Sequence, residues 1–250
     1  MKCALIVQTC DKYVQFWPGF FNFMGKHWDE EIGCSKYFCN EELDVSLPEG
    51  FKQIKTGRRT FAENLRTILQ HVEEENVFYM LEDFWPTAPM SRRLFEELYS
   101  SFLVNKMDAL QVSSYLPYYS LSKSDLMVGG KNLLEFNVQS EWLFNFQARF
   151  WKRDFLAKCI FDPDIPESEV GSAITVEVKC DQHLRKNGAK VFLHHYHWYP
   201  ISGVAYRGNW SEVGAQMENT RRIDERVSEL FYDSELRPGK VLGQEINFVR

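Results

Sequence analysis

Val77 to Pro89 reads VFYMLEDFWPTAP, five apolar residues that run without alternation into two adjacent carboxylates and a turn. An unbroken apolar run of strand length is the pattern of a strand buried on both faces of a largely parallel sheet. Glu82 and Asp83 then leave the carboxyl end of that strand, which is the edge where open α/β sheets bind ligands. Two carboxylates at the end of a buried strand are costly unless a cation or hydrogen-bond donors meet them, so the stretch points to a metal and diphosphate site. A strand end with solvated acids before a Pro-containing loop is the alternative, and this stretch alone leaves it open.

Working outward, the chain of 250 residues is long enough for one large α/β domain, and 44% apolar composition is ample for a continuous core. The expectation is a single domain over 1–250, with a C-terminal helix and tail from about 212. Aromatic residues make up 15%, with 20 Phe, 11 Tyr and 7 Trp, which suits a large core and a cleft that stacks flat rings or sugars. The net charge is −6 and no long Lys/Arg cluster occurs, so the field that draws proteins to nucleic acid is missing. The first residues, MKCALIVQTC, are too short in apolar run for a signal peptide, and no later segment reaches membrane-spanning length. Six scattered cysteines fit reduced core thiols, and the expected location is cytoplasmic.

Ala4 to Val7 is a short apolar strand, followed by Thr9-Cys10-Asp11-Lys12-Tyr13 and a helical pattern carrying Phe16, Phe20, Phe23 and Met24. Thr9, Asp11 and Tyr13 therefore lie at a strand-to-helix turn, where hydroxyl, carboxylate and ring would grip a nucleotide; helix capping is the other reading of Asp11. Strands are expected at 36–39 and 51–54. Arg58 and Arg59 precede Thr60 and Glu63, which have the spacing of a capping box and predict a helix whose start, with two arginines beside it, suits a phosphate. Ser91 caps a further helix, 109–113 is a strand, and 114–130 reads as an active-site loop or small hairpin. Trp142 to Phe146 reads as a strand and Gln147 to Leu156 as a turn into a helix. An acidic stretch from Asp162 to Ser172, broken by Pro and Gly, would bring carboxylates to the cleft mouth. A helix from Ser172 or Thr175 to Asn187 and a strand over 189–193 lead to His194-His195-Tyr196-His197. His195 and His197 share one face of an extended segment, which favours one histidine completing a carboxylate site over a zinc centre.

The G-x-G-x-x-G, Walker A, G-x-S-x-G and H-E-x-x-H signatures do not occur, which lowers the weight of their reaction classes. CDKY with the aromatic helix FWPGFFNFMGKHW, then MLEDF, FQARFWKRDFL, ESEVGS and RGNW, resembles small GT-A-type glycosyltransferases of bacterial surface-polysaccharide loci and large DNA viruses. The resemblance runs over most of Ala4 to Trp210. It implies a single-domain α/β GT-A-like fold with a central, mostly parallel sheet flanked by helices. It also implies a nucleoside-diphosphate sugar donor, a glycan acceptor, Mn2+ or Mg2+, and metal-assisted transfer; a carboxylate base at Glu169 goes with inversion, whereas in a retaining enzyme Glu169 would bind acceptor.

Carried over by position, Thr9, Asp11 and Tyr13 hold the nucleotide and Glu82-Asp83 take the place of the family's acidic metal motif; Glu82 is counted with the donor-binding residues, as are Arg58 and Arg59 from the phosphate reading of their loop. In that motif Asp83 holds the metal, and Glu169, in the E-x-G-S-like segment, resembles the position of the catalytic base with Glu167 as its substitute; the reading of the histidine stretch, not the resemblance, adds His197 as a further metal ligand. The family's acidic motif is often D-x-D and here reads E-D-F. That departure keeps a non-catalytic nucleotide-sugar or glycan-binding protein in view, and a nucleotidyltransferase shares the architecture.

Overall fold

The computed structural model describes residues 2–113, 120–161, 171–196, 198, 203–206 and 209–232. Cys3–Gln8 (β1) is followed by a 3-10 turn over Asp11–Phe16 and by α1 (Trp17–His27), whose Pro18 falls in the first turn, where a missing N–H costs no hydrogen bond. Ser35–Asn40 (β2) and Phe51–Lys55 (β3) lead to α2 (Phe61–His71). That helix starts at the expected capping box: Thr60 Oγ1 accepts from Glu63 N, and the Glu63 carboxylate accepts from Thr60 N. Asn76–Leu81 (β4) holds the apolar run, and Ser91 caps α3 (Arg92–Val104) through Leu94 N.

Ala109–Ser113 (β5), Leu121–Val128 (β6), Lys131–Phe136 (β7) and Arg149–Lys152 (β8) precede α4 (Arg153–Ile160). After them come α5 (Ala173–Asn187), β9 (Val191–His195), a ribbon of β10 (Ala205–Tyr206) and β11 (Asn209–Trp210), and α6 (Glu212–Tyr232). No helix among the described residues is long and apolar enough to cross a membrane.

The strands β1 to β9 form one sheet in the order β3-β2-β1-β4-β8-β5-β9-β7-β6. β1 is parallel to β2 and to β4, and β2 to β3, so the half built from the first β-α units is parallel. β8 enters antiparallel between β4 and β5, β9 is parallel to β5, and the β6–β7 hairpin closes the far side, with a register shift in β6 between Lys123 and Met127. At the opposite edge, Lys36 and Lys52 lie over the rings of Phe51 and Tyr37. Alternate residues feed two cores: Leu5, Val7, Phe78 and Met80 pack with α1 and α3, while Ala4, Ile6, Val77 and Tyr79 pack with α2, α4 and α5. Both sides of β1 and β4 are thus covered, which is why neither strand alternates polar and apolar residues.

The structure corrects the reading of Trp142 to Phe146 as a strand. Trp142 has φ 57°, a left-handed conformation that interrupts extended backbone, and the strand begins at Arg149 with its helix at Arg153. Leu143, Phe144 and Phe146 are buried all the same, so the apolar signal was real but belongs to an irregular segment.

Candidate active site at the carboxyl edge of the sheet

β1 and β4 run parallel and end side by side, with Gln8 opposite Leu81, so the turn after β1 faces the acids after β4. Thr9 is buried; its N–H donates to Cys39 O (2.9 Å) and its hydroxyl accepts from Trp17 Nε1 (2.9 Å). The Asp11 carboxylate accepts from Asn40 Nδ2 and from the backbone N–H groups of Glu41, Glu42 and Leu43 at 2.8–3.1 Å. Burial pushes the Asp11 carboxyl up, and these four donors outweigh it, leaving it below its ordinary value. Asp11 therefore folds the 40–43 turn onto the end of β1. Tyr13 is half-buried, with Lys12 Nζ 4.9 Å from its ring centroid.

Arg58 and Arg59 lie further along the same rim. Arg58 pairs with Glu42 at 3.0 Å and Arg59 reaches Thr67 Oγ1 at 3.5 Å, both at the surface. In the first turn of α2, Phe61 N donates to Gly171 O and Glu63 N to Thr60, so the arginines rather than those two amides are what this rim offers a phosphate.

Glu82 is 2% exposed, and Asp83 is shielded at Oδ1. Neither Glu82 Oε1 nor Asp83 Oδ1 has a hydrogen-bond partner among the described residues. Burial, then repulsion from Asp83, pushes the Glu82 carboxyl well above the usual carboxylate range, against the pull of its own N–H, Thr9 and Lys12. Burial pushes Asp83 up to about 7. Two shielded carboxyl oxygens lacking donors are what a hard divalent cation satisfies, so the residues present fit Mn2+ or Mg2+. Among the described residues no group of three or more His, Cys, Asp and Glu side chains is placed to hold a metal ion, so remaining ligands would come from phosphate, water or residues beyond these. Cys10, beside Glu82, is pushed up to about 12 by burial and by that carboxyl, which makes it a poor nucleophile.

Behind the acids lies a polar layer that sequence reasoning did not single out. Arg149 is fully buried, donates to Leu143 O (2.8 Å) and to Gln111 Oε1, and lies over the Trp151 and Phe136 rings. Glu177 accepts from Phe146 N (2.7 Å), Asp181 from Phe144 N (3.0 Å), and Arg185 donates to Val138 O (2.8 Å). These three stand four residues apart along α5 and fasten the 138–146 segment to it. Glu177 is pushed up to about 7 by burial, with Phe146 N–H and Arg149 pulling down and Asp83 and Asp181 pushing up, so its charge and that of Asp83 feel each other.

The structure thus brings Thr9, Tyr13, Glu82 and Asp83 together, with Asp11, Arg58 and Arg59 on the adjoining rim. Glu167, Glu169 and His197 lie outside the described residues. His194 is buried with Nε2 3.3 Å from Val128 O, a place in the body of the sheet.

No protein-family model matches the chain, and no curated protein matches it in sequence. By structure it is similar to S. aureus TarS 1-349, with 12% identity and a TM-score of 0.51 over 80% of this chain and 59% of that one. It is also similar to TarS 1-349 in complex with UDP (12% identity, TM-score 0.52, 95% of this chain and 76% of that one). A third similar structure is apo-UDP-glucose pyrophosphorylase (10% identity, TM-score 0.53, 90% and 99%). The chain spans about three-fifths of the first TarS structure. At these identities the likeness establishes architecture alone, and the chain shares the α/β fold of these proteins, a mostly parallel sheet flanked by helices.

Proposed function

We propose that the chain is a glycosyltransferase that moves a sugar from a nucleoside-diphosphate sugar to a hydroxyl of a glycan acceptor, with inversion, in cytoplasmic polysaccharide synthesis. The observation that carries this reading is the pair of shielded, donor-less carboxyl oxygens of Glu82 and Asp83 beside the turn after β1. Thr9 and Tyr13 receive the nucleoside end, and Asp11 acts there through the 40–43 turn it folds. Arg58 and Arg59 meet phosphate from the rim. Asp83, with Glu82 beside it and His197 as a further ligand, holds Mn2+ or Mg2+, which when bound offsets negative charge on the diphosphate leaving group. Glu169, or Glu167 in its place, takes the proton of the incoming hydroxyl.

A nucleotidyltransferase is the second reading, since UDP-glucose pyrophosphorylase shares this fold over nearly its whole length. The product separates them. Incubated with a panel of nucleoside-diphosphate sugars, Mn2+ and glycan acceptors, the chain is expected to release free nucleoside diphosphate, and Glu169→Gln to lower that rate by about a hundredfold or more. Pyrophosphate released in a parallel incubation with nucleoside triphosphates and sugar 1-phosphates, with no nucleoside diphosphate from the nucleotide sugars, overturns the first reading in favour of the second, and neither product leaves a binding protein.

A further inference from the structure

Gly203 has no backbone reason to be glycine. Its φ lies outside the left-handed region that Gly50, Gly57, Gly129, Gly130 and Gly188 occupy. What it lacks is space, because a Cβ there would stand 3.0 Å from Asp83 Oδ2, 3.2 Å from Asp83 O and 3.3 Å from Asp83 Cγ. The strap that carries it is fixed on both sides. Val204 N donates to Asp83 O at 2.7 Å, and Val204 O accepts from Ser211 N at 2.9 Å. The Ser211 hydroxyl donates to Gly203 O at 2.9 Å and accepts from Gly214 N at 3.0 Å. Gly214, in the first turn of α6, repeats the device, since a Cβ there would lie 2.1 Å from Val204 O. Two glycines therefore let the start of α6, the 203–204 strap and Asp83 stack in direct contact.

We propose that Gly203 is a positioning residue for Asp83: the bare backbone walls one side of the carboxylate and leaves Oδ1 to meet a cation. This rests on the reading of Asp83 as the residue that holds the metal. The strap limits how the carboxylate can turn on its Oδ2 side, and the start of α6 keeps the strap in place. The three heavy atoms nearest a methyl group at 203 would all belong to Asp83, two of them in its carboxylate, which would have to give by a few tenths of an ångström. Misplacing a group that orients a metal ligand typically weakens binding by about tenfold to a hundredfold.

The test is a titration of free Mn2+, followed by its paramagnetic resonance signal, on wild type, Gly203→Ala, Asp83→Asn and the double variant. Gly203→Ala is expected to weaken Mn2+ roughly tenfold in the wild type and to add nothing once Asp83 is Asn. Wild-type affinity in Gly203→Ala, or an equal loss in both backgrounds, overturns the positioning role and leaves the proposed function standing. Equal Mn2+ affinity in wild type and Asp83→Asn removes the metal site itself, and this inference with it. If Gly203→Ala alone does not fold, Gly203→Ala/Asp83→Ala separates the carboxylate from the Asp83 backbone oxygen, which also lies 3.2 Å from the added Cβ: a pair that folds keeps the carboxylate as the colliding group, and a pair that does not overturns the proposal.

Discussion

At Asp83 the cost of burial and the use of the site are one quantity. Its carboxyl titrates near 7 in the folded chain because burial disfavours the charge, whereas unfolding returns it to the ordinary aspartate range. A folded-state value raised in this way gives stability that is complete below the unfolded pKa and lost as pH rises through the folded one. In chelator, Asp83→Asn should therefore gain melting temperature over wild type progressively between about pH 4 and pH 7 and level off above. Thermal scans across that range check this, and a gain that does not vary with pH would contradict it. The acids were legible because the apolar run of β4 aims them at the sheet edge. Other site residues were not. Asp11 draws its donors from residues 40–43, a pairing no local pattern displays, and Glu177 occupies a helix position that looks like a solvated face. Arg149 sits in FQARFW as an ordinary cation until the sheet buries it.

Among the elements, α5 shows how a helix can organise a segment that has no regular structure. Leu143 to Phe146 cannot offer its amides to a strand after the left-handed turn at Trp142, so Asp181 and Glu177 accept them instead. Removing a charged acceptor from a buried amide costs about 1.5–3 kcal/mol. Glu177→Ala should therefore speed hydrogen exchange at the Phe146 amide by about tenfold or more, while Glu177→Gln, whose amide oxygen still accepts, should largely restore protection. Exchange at the Phe144 amide, held by Asp181, is the internal control. The elements with end signals were the ones readable beforehand: Thr60 with Glu63, Ser91 and Ser172 each cap a helix where the sequence places one. Where burial was the only signal, as at 142–146, a buried irregular segment and a strand looked the same. The hairpin strand β7, with its weakly alternating KNLLEF, gave no signal of its own.

For the whole molecule, the proposed donor site, the strap and α6 meet at one edge of a single sheet, so ligand binding there should register in global stability. A ligand at about a hundred times its dissociation constant stabilises the folded state by about 2.7 kcal/mol, which for a chain of this size raises the melting temperature by about 5–10 °C. Nucleoside diphosphate with Mn2+ is expected to give that shift and nucleoside diphosphate with chelator much less; equal shifts would remove the cation from the account. The alternation of helices and apolar strands made the α/β plan readable, while the antiparallel entry of β8 required partners far apart in sequence. An open sheet of this width also has two exposed borders, each a template on which a second chain could add a strand. One border, β3, carries exposed Lys52 and Lys55, and the other, β6, carries Lys123 and Asp125 at its register shift. Charge on one side and charge with a bulge on the other make strand-by-strand self-association unfavourable, so the broad sheet that builds the cleft carries its own guard against aggregation.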